Sequence, residues 1–170
     1  MTVAQRLLIE NAAFFLLATA FLSIAGWSWR HTPPYELPQP LPGWFKIWFG
    51  SVQFLGSVPP LIVMICAFWQ GLPLLWEVLL AYFVMLALQV LTETLTLRRF
   101  QTVAWVMVPY LYVPYRLWQL WEGYTLTSAA FSANWLLLFF VGELVVWGIN
   151  YLLDLAQLPR LLGWPDTSES

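Results

Sequence analysis

Nineteen consecutive residues, Asn11 to Trp29, carry no charge. A run of this length spans a bilayer as a helix at about 1.5 Å per residue. A second uncharged run, Ile47 to Trp69, is longer still. These runs decide the class before any motif is read. The chain is 61% hydrophobic and 9% charged, where a soluble domain carries about 25% charged residues. The expected fold class is therefore all-α, an integral membrane bundle of about five transmembrane helices.

The spans are placed at about 5–28, 44–69, 74–97, 102–121 and 133–153, within a single domain over 1–158. Residues 159–170 read as a short loose tail. Arg6 and the small-residue step Ala18-Thr19-Ala20 invite a signal-peptide reading. The apolar run continues past that step, and Glu10 sits where a cationic region belongs, so the segment is read as a retained first span. Arg30–Gly43, with five prolines, predicts an extended surface loop. Pro59-Pro60 should kink the second span. Glu122–Ser132 reads as a polar connection.

Arg30, Lys46, Arg98, Arg99 and Arg160 fall on one side, and Arg6, with Arg116 near it, on the other. The positive-inside rule then places the C-terminus in the cytoplasm and the N-terminus outside. The membrane would be the endoplasmic reticulum if the chain is eukaryotic, and the inner or thylakoid membrane if bacterial. The net charge of −2 and the lack of a basic run argue against nucleic acid. Twelve tryptophans suit boundary belts at the two membrane surfaces.

The polar residues fall in stripes. In the fourth span Tyr112, Tyr115, Arg116 and Gln119 share one helix face; in the third, Tyr82, Gln89, Thr92, Glu93 and Thr96 share another. Gly50, Gln53 and Ser57 line up in the second, Glu143, Asn150 and Asp154 in the fifth, and Asn11, Thr19 and Ser23 in the first. Facing inward, these stripes either bond one another or line a cavity. Gln53, Glu93, Arg116 and Glu143 are costly for mere helix contact, which small residues would serve.

Val108–Trp121, VPYLYVPYRLWQLW, concentrates the difficulty, with two prolines and an arginine inside a span. Arg116 lies roughly 8 Å below its surface and Glu143 roughly 15 Å below the same surface at helical rise. A structural ion pair of Arg116 with Glu143 is expected, with Glu77 as the other candidate and Glu122 a poorer one.

Much chemistry is excluded by content. One histidine, His31, and one cysteine, Cys66, provide no metal set and no haem site, so neither metal nor cofactor is expected. No nucleophile motif or phosphate loop is present. Glu93 and Glu143 are the carboxylates that acid–base chemistry could use, at different depths. No catalytic residue is assigned, and the chain reads as a non-enzyme.

Three stretches resemble one family. PLPGWFK at Pro40–Lys46, the Pro59-Pro60 step and AFWQG at Ala67–Gly71 are similar to the second helix of the EXPERA (emopamil-binding, sigma-two receptor-like) family. VPYLYVPY at Val108–Tyr115 resembles its last helix, and Phe21-Leu22-Ser23 matches the first more weakly. The resemblance covers about Phe14–Trp121. It implies a small membrane protein that binds sterols or lipophilic amines inside its bundle. One branch isomerises a sterol double bond by proton transfer, which is the only enzyme activity the resemblance would imply. This chain has Ile24 where that branch carries a histidine and Gln53 where it carries an acid, and its fifth span is additional.

Two functions follow. The first is a cavity for a sterol- or isoprenoid-like small molecule between the second, third and fourth spans, lined by Gln53, Glu93, Tyr110, Tyr112, Tyr115 and Arg116, with Trp69 and Trp105 as further walls. The second is an accessory or assembly subunit of a larger membrane complex. Partners would accordingly be a membrane lipid or lipophilic small molecule, other membrane subunits, or a second copy. A proton-coupled transporter fits less well, since the chain has no internal repeat.

Overall fold

The computed structural model describes residues 1–35, 43–131 and 134–162, the Arg160 side chain excepted. Residues 36–42 of the proline-rich loop, Ala133 at the start of the fifth span and the tail beyond Leu162 lie outside the described residues. Among those described there are helices and turns and no strand.

Helix α1, Val3–Ser28, begins at a capping box. Gln5 N–H donates to the Thr2 hydroxyl and Thr2 N–H to the Gln5 side chain, so two otherwise orphaned donors are satisfied. At its other end Arg30 donates to the Trp27 carbonyl at 2.9 Å, and its guanidinium lies 4.0 Å from the Trp27 ring centre. A cation there offsets the negative end of the helix dipole.

The second span is two helices, α2 (Gly43–Leu55) and α3 (Val58–Trp69), with a break at Gly56-Ser57. The prolines sit in the first turn of α3, where a missing N–H costs least. Gly71, at φ +66°, turns the chain into α4, Pro73–Phe100. Arg98 and Arg99 fall in the last turn of α4, and Gln101 closes it in the left-handed conformation. A single 3₁₀ turn, Val103–Trp105, precedes α5, Val108–Ala130. Helix α6 is Asn134–Leu155, and the short α7 is Leu158–Leu162.

Helix α5 corrects the expected polar connection. It runs through Pro114 and on past Trp121 to Ala130. The Thr127 hydroxyl donates to Gly123 O at 2.7 Å and that of Ser128 to Thr125 O at 3.2 Å, so these polar groups are spent on the helix itself.

The chain is an all-α integral membrane bundle. Helices α1, α4 and α6 and the α2–α3 pair are long and apolar enough to cross a membrane. Helix α5 is of similar length but carries Arg116, Gln119 and Glu122 buried in the interior. Helix α4 is central: it packs on α1, α3 and α5, while α6 packs on α5 and α2. The core joins Leu75, Val78, Leu79 and Tyr82 of α4 to Val113 and Leu120 of α5 and Phe140 and Trp147 of α6. Leu8, Leu16, Leu17, Ile62, Leu138 and Leu152 are exposed on the outside, as a lipid-facing surface requires. Trp27, Trp44, Trp69 and Trp135 are exposed near helix ends, where boundary tryptophans sit.

Candidate ligand-binding cavity

The inward stripes meet in three places. At one end of the bundle, Asn11 of α1 is a buried hub. Its Oδ1 accepts from the Tyr115 hydroxyl at 2.9 Å and from Gln119 Nε2 at 2.8 Å, and its Nδ2 donates to Ala81 O at 3.1 Å. Nearby in the chain, Arg6 pairs with Glu122 of α5 and lies 3.5 Å from Glu10. Phe14 stacks on Tyr115 with ring centres 4.0 Å apart and meets Tyr112 edge-on at 5.1 Å. Tyr112 lies 2.9 Å from the Thr92 hydroxyl, which itself donates to Leu88 O. Tyr112 is therefore the donor of that pair.

Deeper in, Arg116 is 2% exposed. Its Nη2 donates to Gln89 Oε1 at 2.6 Å, and its guanidinium covers the Trp147 ring at 4.0 Å and the Tyr82 ring at 5.6 Å. Trp147 Nε1 donates to the Tyr82 hydroxyl at 2.9 Å, which donates in turn to Gly56 O at 2.5 Å. In a continuous helix Gly56 O would accept from residue 60, but Pro60 has no N–H. Tyr82 supplies the missing donor.

The expected Arg116–Glu143 contact is absent: among the described residues no ion pair within 4.0 Å joins the two, and Glu143 Oε2 is buried without a hydrogen-bond partner. They remain electrostatic neighbours. Trp147, four residues after Glu143 on α6, takes the guanidinium face, and Gln89 takes the Nη2 donor. Glu122, set aside as a partner for Arg116, serves Arg6 instead. Both belong to the same end of the bundle, the start of α1 and the far half of α5, and that shared end was the signal available in the sequence.

The third place is a cavity of about 330 Å³ at the opposite end, under α2. Its walls come from α2, α4, α5, α6 and α7. Of the six residues expected to line a pocket, Gln53, Glu93 and Tyr110 do so. Tyr112, Tyr115 and Arg116 are not part of this wall; they hold α5 to α1 and α4 as described above. Trp69 is 79% exposed at the end of α3, and neither it nor Trp105 lines the cavity. Pro109 is the proline of α5 that borders the cavity, while Tyr112, two residues before Pro114, is fully packed.

Asn150 and Asp154 of α6 complete the polar wall, with Asn150 Nδ2 3.2 Å from Asp154 Oδ2. The sequence places both on one stripe of the fifth span, outside the second to fourth spans on which the pocket is expected. Trp44, Trp48 and Phe49 of α2 supply the aromatic wall. Trp44 and Phe49 are more than half exposed while also lining the cavity, so its mouth lies at α2. Gln89 links the cavity to the buried arginine. An arginine only donates, so Gln89 must turn Oε1 toward it, and Nε2 is left for whatever the cavity holds.

Among the described residues no three His, Cys, Asp or Glu side chains gather as a metal site. No protein-family model, curated protein or solved structure matches the chain.

Proposed function

We propose that this integral membrane protein holds a lipophilic small molecule, with a sterol- or isoprenoid-like apolar part, in the cavity under α2. The observation that carries this reading is the cavity itself. A volume of about 330 Å³ lies in the range of ligand pockets. Its wall mixes large aromatics with a few convergent polar groups, Gln53, Gln89, Glu93 and Asp154, which is how ligand sites combine affinity with orientation. The mouth at Trp44 and Phe49 is flanked by exposed apolar side chains of α2, which suits a ligand that enters from lipid. The resemblance of the second and fourth spans to the EXPERA family supports the same ligand class. The role is binding rather than catalysis. By the charge bias the cavity end of the bundle is the cytoplasmic one.

The test is mass spectrometry of what the purified protein retains after gentle detergent extraction. A small molecule retained by the wild type and lost from Glu93→Ala supports the proposal. A protein that carries nothing small and elutes only within a larger complex supports the accessory-subunit reading in its place.

A further inference from the structure

A second cavity, about 320 Å³, adjoins the first. Its wall is almost entirely apolar, including Trp29, Val103, Met107, Leu155, Leu158 and Leu162. The two cavities share two side chains, Tyr110 and Leu161. The Tyr110 hydroxyl donates to the backbone carbonyl of Asp154, so its ring is tethered at the junction. One chamber is polar and aromatic, the next is greasy, and they meet at a fixed ring. A molecule occupying both must be amphiphilic, with its tail running along Tyr110 and Leu161.

The polar chamber narrows the head chemistry. Among the described residues no lysine or arginine lines it, so none of them would neutralise a phosphate or carboxylate head. Two carboxylates line it, but so do four amides, Gln53, Gln89, Asn150 and Gln157. A primary ammonium head donates but does not accept, and a trimethylammonium head does neither, so both leave amide N–H groups without acceptors. Gln89 is the sharpest case, because Arg116 occupies its oxygen and leaves only its N–H donors for the ligand. Hydroxyl groups both donate and accept, and so satisfy amides and carboxylates together. Trp44 and Trp48 add flat apolar faces against which the C–H face of a sugar ring can lie.

Resting on the binding role proposed above, we infer that the ligand is a lipid with a neutral, polyhydroxylated, sugar-like head in the α2–α6 chamber and its hydrocarbon tail in the α5–α7 chamber.

The test places the full-length protein in phosphatidylcholine nanodiscs. These are doped equally with a monohexosyl diacylglycerol, a trimethylammonium lipid and phosphatidylglycerol, all with the same acyl chains. Native mass spectrometry then counts the lipid adducts. The inference expects the hexosyl lipid to be enriched at least tenfold over the other two dopants. The double variant Glu93→Gln, Asp154→Asn keeps hydrogen-bonding capacity while removing both charges. It should lower retention of the hexosyl adduct by about threefold, near 0.7 kcal/mol at 1.4 kcal/mol per decade, without abolishing it. Leu158→Trp, which fills the apolar chamber, should cut retention of long-chain hexosyl lipid by tenfold and leave a short-chain analogue unaffected. Enrichment of the cationic or anionic lipid, loss of the hexosyl adduct in the amide variant, or indifference to Leu158→Trp overturns the inference but leaves a binding cavity. If no dopant is enriched while the purified protein still retains a small molecule that Glu93→Ala loses, the inference falls and the binding role stands; if nothing small is retained either, both fall.

Discussion

The Tyr82 hydroxyl donates to the Gly56 carbonyl at 2.5 Å and accepts from Trp147 Nε1 at 2.9 Å. Through that one oxygen, α4 ties the break between α2 and α3 to α6. The carbonyl needs the donor because Pro60 cannot provide one. The break, in turn, lets α2 present its aromatic face to the cavity.

Removing this oxygen should therefore loosen three elements at once. Tyr82→Phe leaves a buried carbonyl and a buried indole N–H unmatched, at about 1–3 kcal/mol for each group left unsatisfied. The thermal midpoint in detergent should fall, and Trp147→Phe should add less than its own single effect. A double-mutant cycle with a coupling of at least about 0.5 kcal/mol is the expected result.

Gly56 is bound to the same contact by space. A Cβ there would lie 2.4 Å from Trp147 Cζ2, against a ring held by Arg116 on its face. Gly56→Ala should cost about 1–3 kcal/mol by overpacking, read as a lower midpoint. Gly50, where a Cβ meets nothing within 4 Å, is the control, and Gly50→Ala should be neutral or slightly stabilising.

Arg116 depends on Gln89 and Trp147 more than on a carboxylate. Gln89→Leu leaves its charge with no hydrogen-bonded partner and should cost about 2–3 kcal/mol. In a cycle of Arg116→Gln with Glu143→Gln, the coupling should be smaller than that of Arg116→Gln with Gln89→Leu. Chemical denaturation of the four variants measures both. A larger coupling to Glu143 would mean that the two side chains meet directly.

Asn11 is the corresponding hub at the far end. Asn11→Leu breaks bonds to Tyr115, Gln119 and Ala81 O, and interhelical bonds in membrane bundles average about 0.6 kcal/mol each. A total loss of roughly 1–3 kcal/mol is expected. Asn11→Asp keeps the acceptor for Tyr115 and Gln119 and should lose less than Asn11→Leu. Because Asn11 does not line the cavity, neither variant should alter what the protein retains on extraction.

Much of the architecture could be read from the chain because lipid enforces simple rules. Long uncharged runs mark spans, and costly polar residues face inward; Tyr82, Gln89, Thr92, Arg116, Gln119 and Glu143 are all buried. What could not be read was which inward residue meets which. The stripe Tyr112, Tyr115, Arg116 and Gln119 is continuous along α5, yet Tyr112 and Arg116 turn to α4 while Tyr115 and Gln119 turn to α1. Helical periodicity gives a face, and that face is wide enough to touch two neighbours. The far half of α5 was missed because Glu122, Thr125 and Thr127 look like a loop in isolation. Arg6 on α1 and the helix's own carbonyls satisfy them. The cavity was half visible for the same reason: Tyr110 lies near the cavity end of α5, whereas Tyr115 and Arg116 lie further along it and are taken by α1 and α4.

The proposed binding role is tested most directly from inside the cavity mouth. Gln53 lines the cavity from the exposed side of α2, so a photoreactive benzoyl-phenylalanine at that position can be carried without disturbing the core. Irradiated in its native membrane and then purified, the protein should gain the mass of one small lipophilic molecule. The same probe at Trp118, on the exposed face of α5, should gain only bulk lipid. A protein-sized adduct at position 53, or the same mixture of bulk lipid at both positions, would contradict a dedicated ligand site.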